Sequence, residues 1–231
     1  MKYCPIYQKS SIAQNMQITK LIKKYNELQP IYGDKNLDAI CGCGNINSPN
    51  LCLVFMNPTA RNVASDKNWT GLKAPWLGTK HVWNMLCQLG LFSQDLAEEI
   101  NSKKPADWDH RFAKTVYKKV HDNSIYITNL SKATQIDARA LPNDIFKKYL
   151  DLFRSEIDAI KPKIIITFGN QVSSVLLDKN IKVSEYRRKH ELLKIGGASY
   201  KVFPVYYPVG QGMRNINMAK KDIEWIIKNQ I

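Results

Sequence analysis

Side-chain amides stand just past four separate apolar runs of this chain, and carboxylates past none. LCLVFM (51–56) gives way to Asn57-Pro58-Thr59, and IYIT (125–128) to Asn129-Leu130-Ser131-Lys132. KIIITF (163–168) gives way to Gly169-Asn170-Gln171. YKVFPVYY (200–207) gives way to Pro208-Val209-Gly210-Gln211-Gly212-Met213-Arg214-Asn215. An amide carries two N–H donors and a carbonyl acceptor in one plane, which suits a nucleobase edge or a water that must be held in place. It does not suit proton abstraction, which asks for a carboxylate or an imidazole. One Asn after a strand is an ordinary turn residue. The same chemistry at four successive ends reads as a site.

Those residues need elements to hold them. Each apolar run is too short for a buried helix, is rich in β-branched or aromatic residues, and stops at turn signals, so each predicts a strand. Amphipathic helical patterns lie before and between them. In 12–28, Ile12, Met16, Ile18, Leu21, Ile22 and Tyr25 recur at helical spacing. A pattern over 79–90 stops at Gly90, and one over 142–162 opens on Pro142-Asn143 and stops before Pro162. Shorter patterns cover 170–178 and 217–229. The polar segment 93–112 reads as an insertion or a pair of short surface helices. Strands alternating with helices predict an α/β fold, a three-layer α/β/α sandwich around a central, mainly parallel four-stranded sheet. In such sheets ligands bind beyond the carboxyl ends of the strands, where the amides are. With no repeat, no low-complexity tract and no Gly/Ser linker, one domain is expected across 1–231.

The chain has 231 residues, 44% of them hydrophobic, enough for one compact core. No run of 18 apolar residues predicts a membrane span, and the N-terminus lacks the apolar stretch of a secretory signal. Five cysteines, odd in number and scattered, point to reduced thiols and a cytoplasmic or nuclear location. Lys and Arg number 34 against 20 Asp and Glu, for a net charge of +14. Such an excess fits a polyanionic partner such as DNA. Cys41-Gly42-Cys43 with Cys52 lacks the second pair that a zinc site needs, and no metal is expected. Gly42-Cys43-Gly44 precedes a strand and opens no helix, which excludes a dinucleotide loop.

FMNPT resembles the first motif of the uracil-DNA glycosylase superfamily, a Gly-x-(Asn/Asp/Ala)-Pro-(Gly/Tyr) turn, and is closest to the Asn-Pro versions of its mismatch-specific and single-strand-selective branches. ICGCGNINSPNLCLVFMNPT is similar to the Gly-x-Gly-Asn lead-in to that strand. KAPWLGTKHVWNML resembles the Pro-Phe-x-Gly segment that brings an aromatic ring over the flipped base. IYITNLSKAT resembles the strand whose last Asn reads uracil, and IKPKIIITFGNQVSSVLL the Pro-Lys-hydrophobic-Gly segment of bacterial and archaeal members. YYPVGQGMRN sits where the second motif, His-Pro-Ser-x-x, carries a DNA-intercalating loop. The likeness runs in order from about residue 40 to 228. Phe55 and Thr59 replace flanking residues of the first motif, and Tyr207 replaces the His of the second.

The resemblance implies a monofunctional DNA glycosylase, without a cofactor, that takes uracil from DNA. Hypoxanthine and mismatched thymine are alternative bases. It implies that Asn57 holds the attacking water and that Tyr207 faces the leaving base. Trp76, with Trp69 as second choice, provides the stacking platform, Asn129 reads the base edge, and Phe55 and Met56 line the pocket. The loop with Gly210, Gln211, Gly212, Met213 and Arg214 meets DNA, as do Asn170 at a helix start and Lys132. A monomer is expected. Two other readings stand beside it: a non-catalytic DNA- or damage-binding protein on the same fold, and a nucleotide-binding or metabolite enzyme on a related sheet.

Overall fold

The computed structural model describes residues 12–139 and 141–231. Six strands form one sheet: β1 (Cys43–Gly44), β2 (Leu51–Phe55), β3 (Ile125–Asn129), β4 (Ile164–Phe168), β5 (Glu191–Ile195) and β6 (Ala198–Val205). Their order is β1-β3-β2-β4-β6-β5. The four strands read from the sequence make the parallel centre, β3-β2-β4-β6. Every residue of β2, β3 and β4 is buried, the continuous apolar signature of parallel strands covered on both faces. Two antiparallel strands not anticipated complete the edges, β1 on β3 and β5 on β6.

Strand alternation divides the core into two layers. Leu51, Leu53, Phe55, Ile125, Ile127, Ile164, Ile166 and Phe168 face α2 (His81–Gln88), α3 (Gln94–Ser102), α4 (His110–Asp122) and α7 (Ile216–Gln230). Cys52, Val54, Tyr126 and Ile165 face α1 (Ile12–Tyr32), α5 (Asn143–Ile160) and α6 (Asn170–Leu177). This is the three-layer sandwich. The α4 helix was not legible as such. The polar segment read as surface holds α3 and the start of α4, where the Asp109 carboxylate caps the Phe112 N–H at 2.7 Å. Its buried Phe112, Val116, Tyr117 and Val120 make one face of a true core helix. Among the described residues no helix is long and apolar enough to cross a membrane.

Beyond the carboxyl ends of β2 and β3 the two chains stay joined. Leu130 N–H donates to Phe55 O (2.8 Å), Ser131 N–H to Met56 O (3.0 Å) and Gln135 N–H to Pro58 O (3.1 Å). Ala60 N–H returns a bond to Gln135 O at 2.8 Å. The turn after β2 and the loop after β3 are therefore one hydrogen-bonded unit.

Candidate active site at the carboxyl edge of the sheet

Phe55 and Asn129 are the last residues of β2 and β3 and lie in register. Register partners in a sheet share a face, so the Asn129 side chain projects into the same layer as the Phe55 ring. Asn129 is 2% exposed, and among the described residues its side-chain amide has no hydrogen-bond partner. Neither of its amide atoms is sealed away from solvent without a partner, unlike the Trp76 indole N–H described below. The amide is free to bond water or a ligand at the edge of the sheet.

Beside it stands an aromatic cluster. The Phe55 ring stacks on Phe168, centroids 4.4 Å apart, and meets the edges of Trp76 at 4.8 Å and Tyr207 at 6.2 Å. Trp76 has φ +65°, a left-handed conformation that a bulky residue rarely adopts. Its surroundings impose it. The Trp76 carbonyl accepts from the Thr79 hydroxyl (2.7 Å), the Thr79 N–H (3.2 Å) and the Trp83 indole N–H (3.1 Å). The Pro75 carbonyl accepts from the Tyr117 hydroxyl at 2.7 Å. The Trp76 indole N–H is buried without a partner among the described residues. Trp69 offers no such open group, because its indole donates to Leu72 O at 3.0 Å.

Asn57 lies two residues beyond Phe55 and is half-buried. Its Nδ2 donates to Pro58 O at 3.1 Å, which fixes the amide and leaves Oδ1 as an acceptor. Pro58, with φ restrained by its ring, is buried under it. Tyr207 follows β6, and its hydroxyl has no partner among the described residues. Burial pushes the Tyr207 phenol well above the usual tyrosine range, so it stays a neutral O–H donor. Gly212 packs against it so closely that a Cβ there would stand 2.0 Å from Tyr207 O.

The loop past Tyr207 is a 3-10 turn, Gly210–Asn215, that runs into α7. Gly210 (φ +57°), Gln211, Met213 and Arg214 are exposed, Met213 at 37%. Arg214 makes no ion pair among the described residues. At its flank Arg187 is paired with the buried Asp222 and lies 5.9 Å from the Tyr206 ring.

Three sequence expectations are corrected here. Lys132 is 0% exposed and paired with Glu156 in the α1/α5 layer, so it touches no DNA. Met56 packs into that same far layer, away from Trp76. Phe55 has no exposed surface; it backs Trp76 and Tyr207 from inside the core and does not face a ligand. Asn170 stays exposed at the start of α6, with its Oδ1 accepting from Val183 N–H at 3.0 Å. The structure also adds residues that the sequence reading passed over. Thr79, Trp83 and Tyr117 hold the Trp76 turn. Buried Asn62 caps Ala64 N–H (3.0 Å) and donates to Ala74 O (2.8 Å), tying the segment after Asn57 to that turn. Only Asn62 carried a local signal, as a side-chain cap. Among the described residues no three His, Cys, Asp or Glu side chains gather to hold a metal. Burial pushes the Cys41 thiol up to about 12, which makes it a protonated core residue.

A parallel α/β domain with open amides and aromatic rings at its carboxyl edge is built to hold a planar polar ligand there. A model of the uracil DNA glycosylase superfamily matches residues 41–227, most of the chain, and the protein belongs to that superfamily. Members of the superfamily are DNA glycosylases, hydrolases of base excision repair. A comparison with curated proteins finds no significant match.

Proposed function

We propose that the protein hydrolyses the N-glycosidic bond of a damaged base turned out of DNA, with uracil as its principal substrate. One observation carries this reading: Asn129 and Asn57 stand at the adjacent ends of β3 and β2, joined by one ladder of hydrogen bonds, and the Phe55 ring between them touches both Trp76 and Tyr207.

The reaction breaks the bond between C1′ of the sugar and N1 of the base. The sugar becomes oxocarbenium-like and the base leaves as an anion. Asn57 Oδ1 holds a water whose oxygen adds to C1′ and whose proton passes to solvent. The neutral Tyr207 hydroxyl donates to the leaving base as charge builds on its O2. Asn129 donates Nδ2–H to O4 and accepts N3–H on Oδ1. Cytosine offers the reverse pattern and leaves both amide groups opposed, which rejects it. Trp76 stacks on the base and recovers about 1–3 kcal/mol against the few kcal/mol that unstacking costs. Met213 fills the space left in the duplex, and Arg214 with the +14 net charge meets the phosphates. Asn57 takes no proton itself, so the enzyme is slow compared with one that uses a carboxylate.

Base release from labelled single- and double-stranded oligonucleotides carrying uracil, hypoxanthine or mismatched thymine, followed by alkali, tests the reading. Cleavage at uracil above the other bases is the expected result. Salt-sensitive binding with no release from any substrate would overturn it in favour of a damage-binding protein, which the Tyr at position 207 also suits.

A further inference from the structure

Lys132 and Glu156 form a buried ion pair of 2.8 Å on the side of the sheet opposite the aromatic cluster. Such pairs are costly to bury, and apolar residues of similar volume are often as stable or more so. A buried pair therefore asks for a reason beyond stability. Here every polar atom of the pair is used. Glu156 accepts from the hydroxyls of Tyr25 (2.7 Å), Tyr126 (2.9 Å) and Thr128 (2.8 Å). Lys132 Nζ gives its other two hydrogens to Thr128 Oγ1 (2.8 Å) and to the backbone carbonyl of Asn129. The ring of Tyr25 lies 4.9 Å from the ammonium.

The ammonium thus grips β3 at the carbonyl of the residue that reads the base. The next two amides, Leu130 and Ser131, bond to Phe55 and Met56, directly before Asn57. Fixing one peptide from below therefore fixes the direction of the Asn129 side chain and the place of the Asn57 turn together. We propose that Lys132 and Glu156 are positioning residues for the active site, acting through the Asn129 carbonyl from the far side of the sheet. The proposal rests on the roles given to Asn57 and Asn129 above.

Removing one partner would strand a buried charge and destabilise the fold, so the informative variant is the double one, Lys132→Met with Glu156→Leu. It keeps the volume and removes both charges. Three quantities are read: the thermal midpoint, single-turnover base release at saturating enzyme, and hydrogen exchange at the Leu130 and Ser131 amides. The expected variant still unfolds cooperatively, at a midpoint lowered by the hydroxyls of Tyr25, Tyr126 and Thr128 that lose their acceptor, and binds uracil-containing DNA as before. Its Leu130 and Ser131 amides exchange at least about tenfold faster while the β4 amides do not. Its release step slows roughly 10- to 100-fold, the scale of a small misplacement of reacting groups. Thr128→Val, which removes the hydroxyl that bridges Lys132 and Glu156 and keeps the ion pair, should shift both readouts the same way and by less. A double variant with wild-type exchange and wild-type release would overturn the proposal. So would one that fails to fold while Thr128→Val behaves as wild type, since the pair would then serve stability alone. If the wild type releases no base at all, the glycosylase reading fails and the exchange arm still decides whether the pair fixes the Asn129 peptide.

Discussion

Phe55 and Asn129 face each other across the parallel ladder of β2 and β3, the last residue of one strand against the last of the other. The side-chain period of a strand is two, so a slip by one residue would send the Asn129 amide into the α1/α5 layer and bring Thr128 to the site. The apolar faces of both strands forbid that slip, because it would also turn Ile125 and Ile127 out of their layer. The hydrophobic core thereby sets the direction of the Asn129 amide.

Asn129→Asp replaces an amide that both donates and accepts with a carboxylate that only accepts. The bond to uracil O4 becomes a repulsion between acceptors. Uracil release is expected to fall by about 10- to 100-fold, the cost of one opposed buried polar group. The ratio of uracil to cytosine release should shrink with it. Parallel time courses on the two oligonucleotides measure both.

Tyr207 is expected to act as a neutral donor throughout. Its burial raises its pKa above the ordinary tyrosine value of about 10, so it adds no limb to the pH–rate profile below about pH 10. Tyr207→Phe should slow release by about 100-fold, as loss of one preorganised donor does. The stability linkage has a definite sign. A group with a folded pKa above its unfolded one leaves stability intact below the unfolded value and costs stability as pH rises beyond it. The phenylalanine variant should therefore lose less stability between neutral and strongly alkaline pH than the wild type, which denaturant titrations at several pH values would register.

Two glycines in the loop separate steric from conformational need. Gly212→Ala places a Cβ 2.0 Å from the Tyr207 carbonyl, backbone that cannot give way locally. It should cost about 1–3 kcal/mol and displace Tyr207, lowering base release. Gly210 has φ +57° but open space around it. Gly210→Ala should cost only about 1 kcal/mol and spare the release step. Chemical denaturation and single-turnover assays of the pair would show the contrast.

Arg214 is exposed and unpaired among the described residues, as a phosphate contact should be. Arg214→Ala should weaken binding to all DNA alike and lower the slope of log affinity against log salt by about 1. Fluorescence anisotropy over a salt series, with damaged and undamaged duplexes, reads both effects.

The parts of this site that were legible in the sequence are those set locally. Runs such as LCLVFM and KIIITF mark parallel strands because both faces are buried, and Asn57 and Asn129 stand out because they end them. The edge strand β5 was not legible: its alternate residues are exposed, and it lies in a charged stretch after YRRKH. Lys132 misled for a reason beyond its neighbours. A lysine after a strand reads as surface, and only Glu156 and Tyr25, from α5 and α1, turn it inward. The twist at Trp76 was invisible too, since Thr79, Trp83 and Tyr117 impose it through backbone carbonyls that a sequence does not display.

The direct test of the whole account is single-turnover uracil release by the wild type and by Asn57→Ala, with DNA affinity measured alongside. The mechanism proposed above gives Asn57 Oδ1 to the attacking water and no part in holding DNA, with Nδ2 tied to Pro58 O. The wild type should release uracil, and the variant should bind the same DNA with equal affinity while releasing the base at least about 100-fold more slowly. Equal rates in the two proteins would contradict the role of Asn57 and, with it, the mechanism drawn from the carboxyl edge of the sheet.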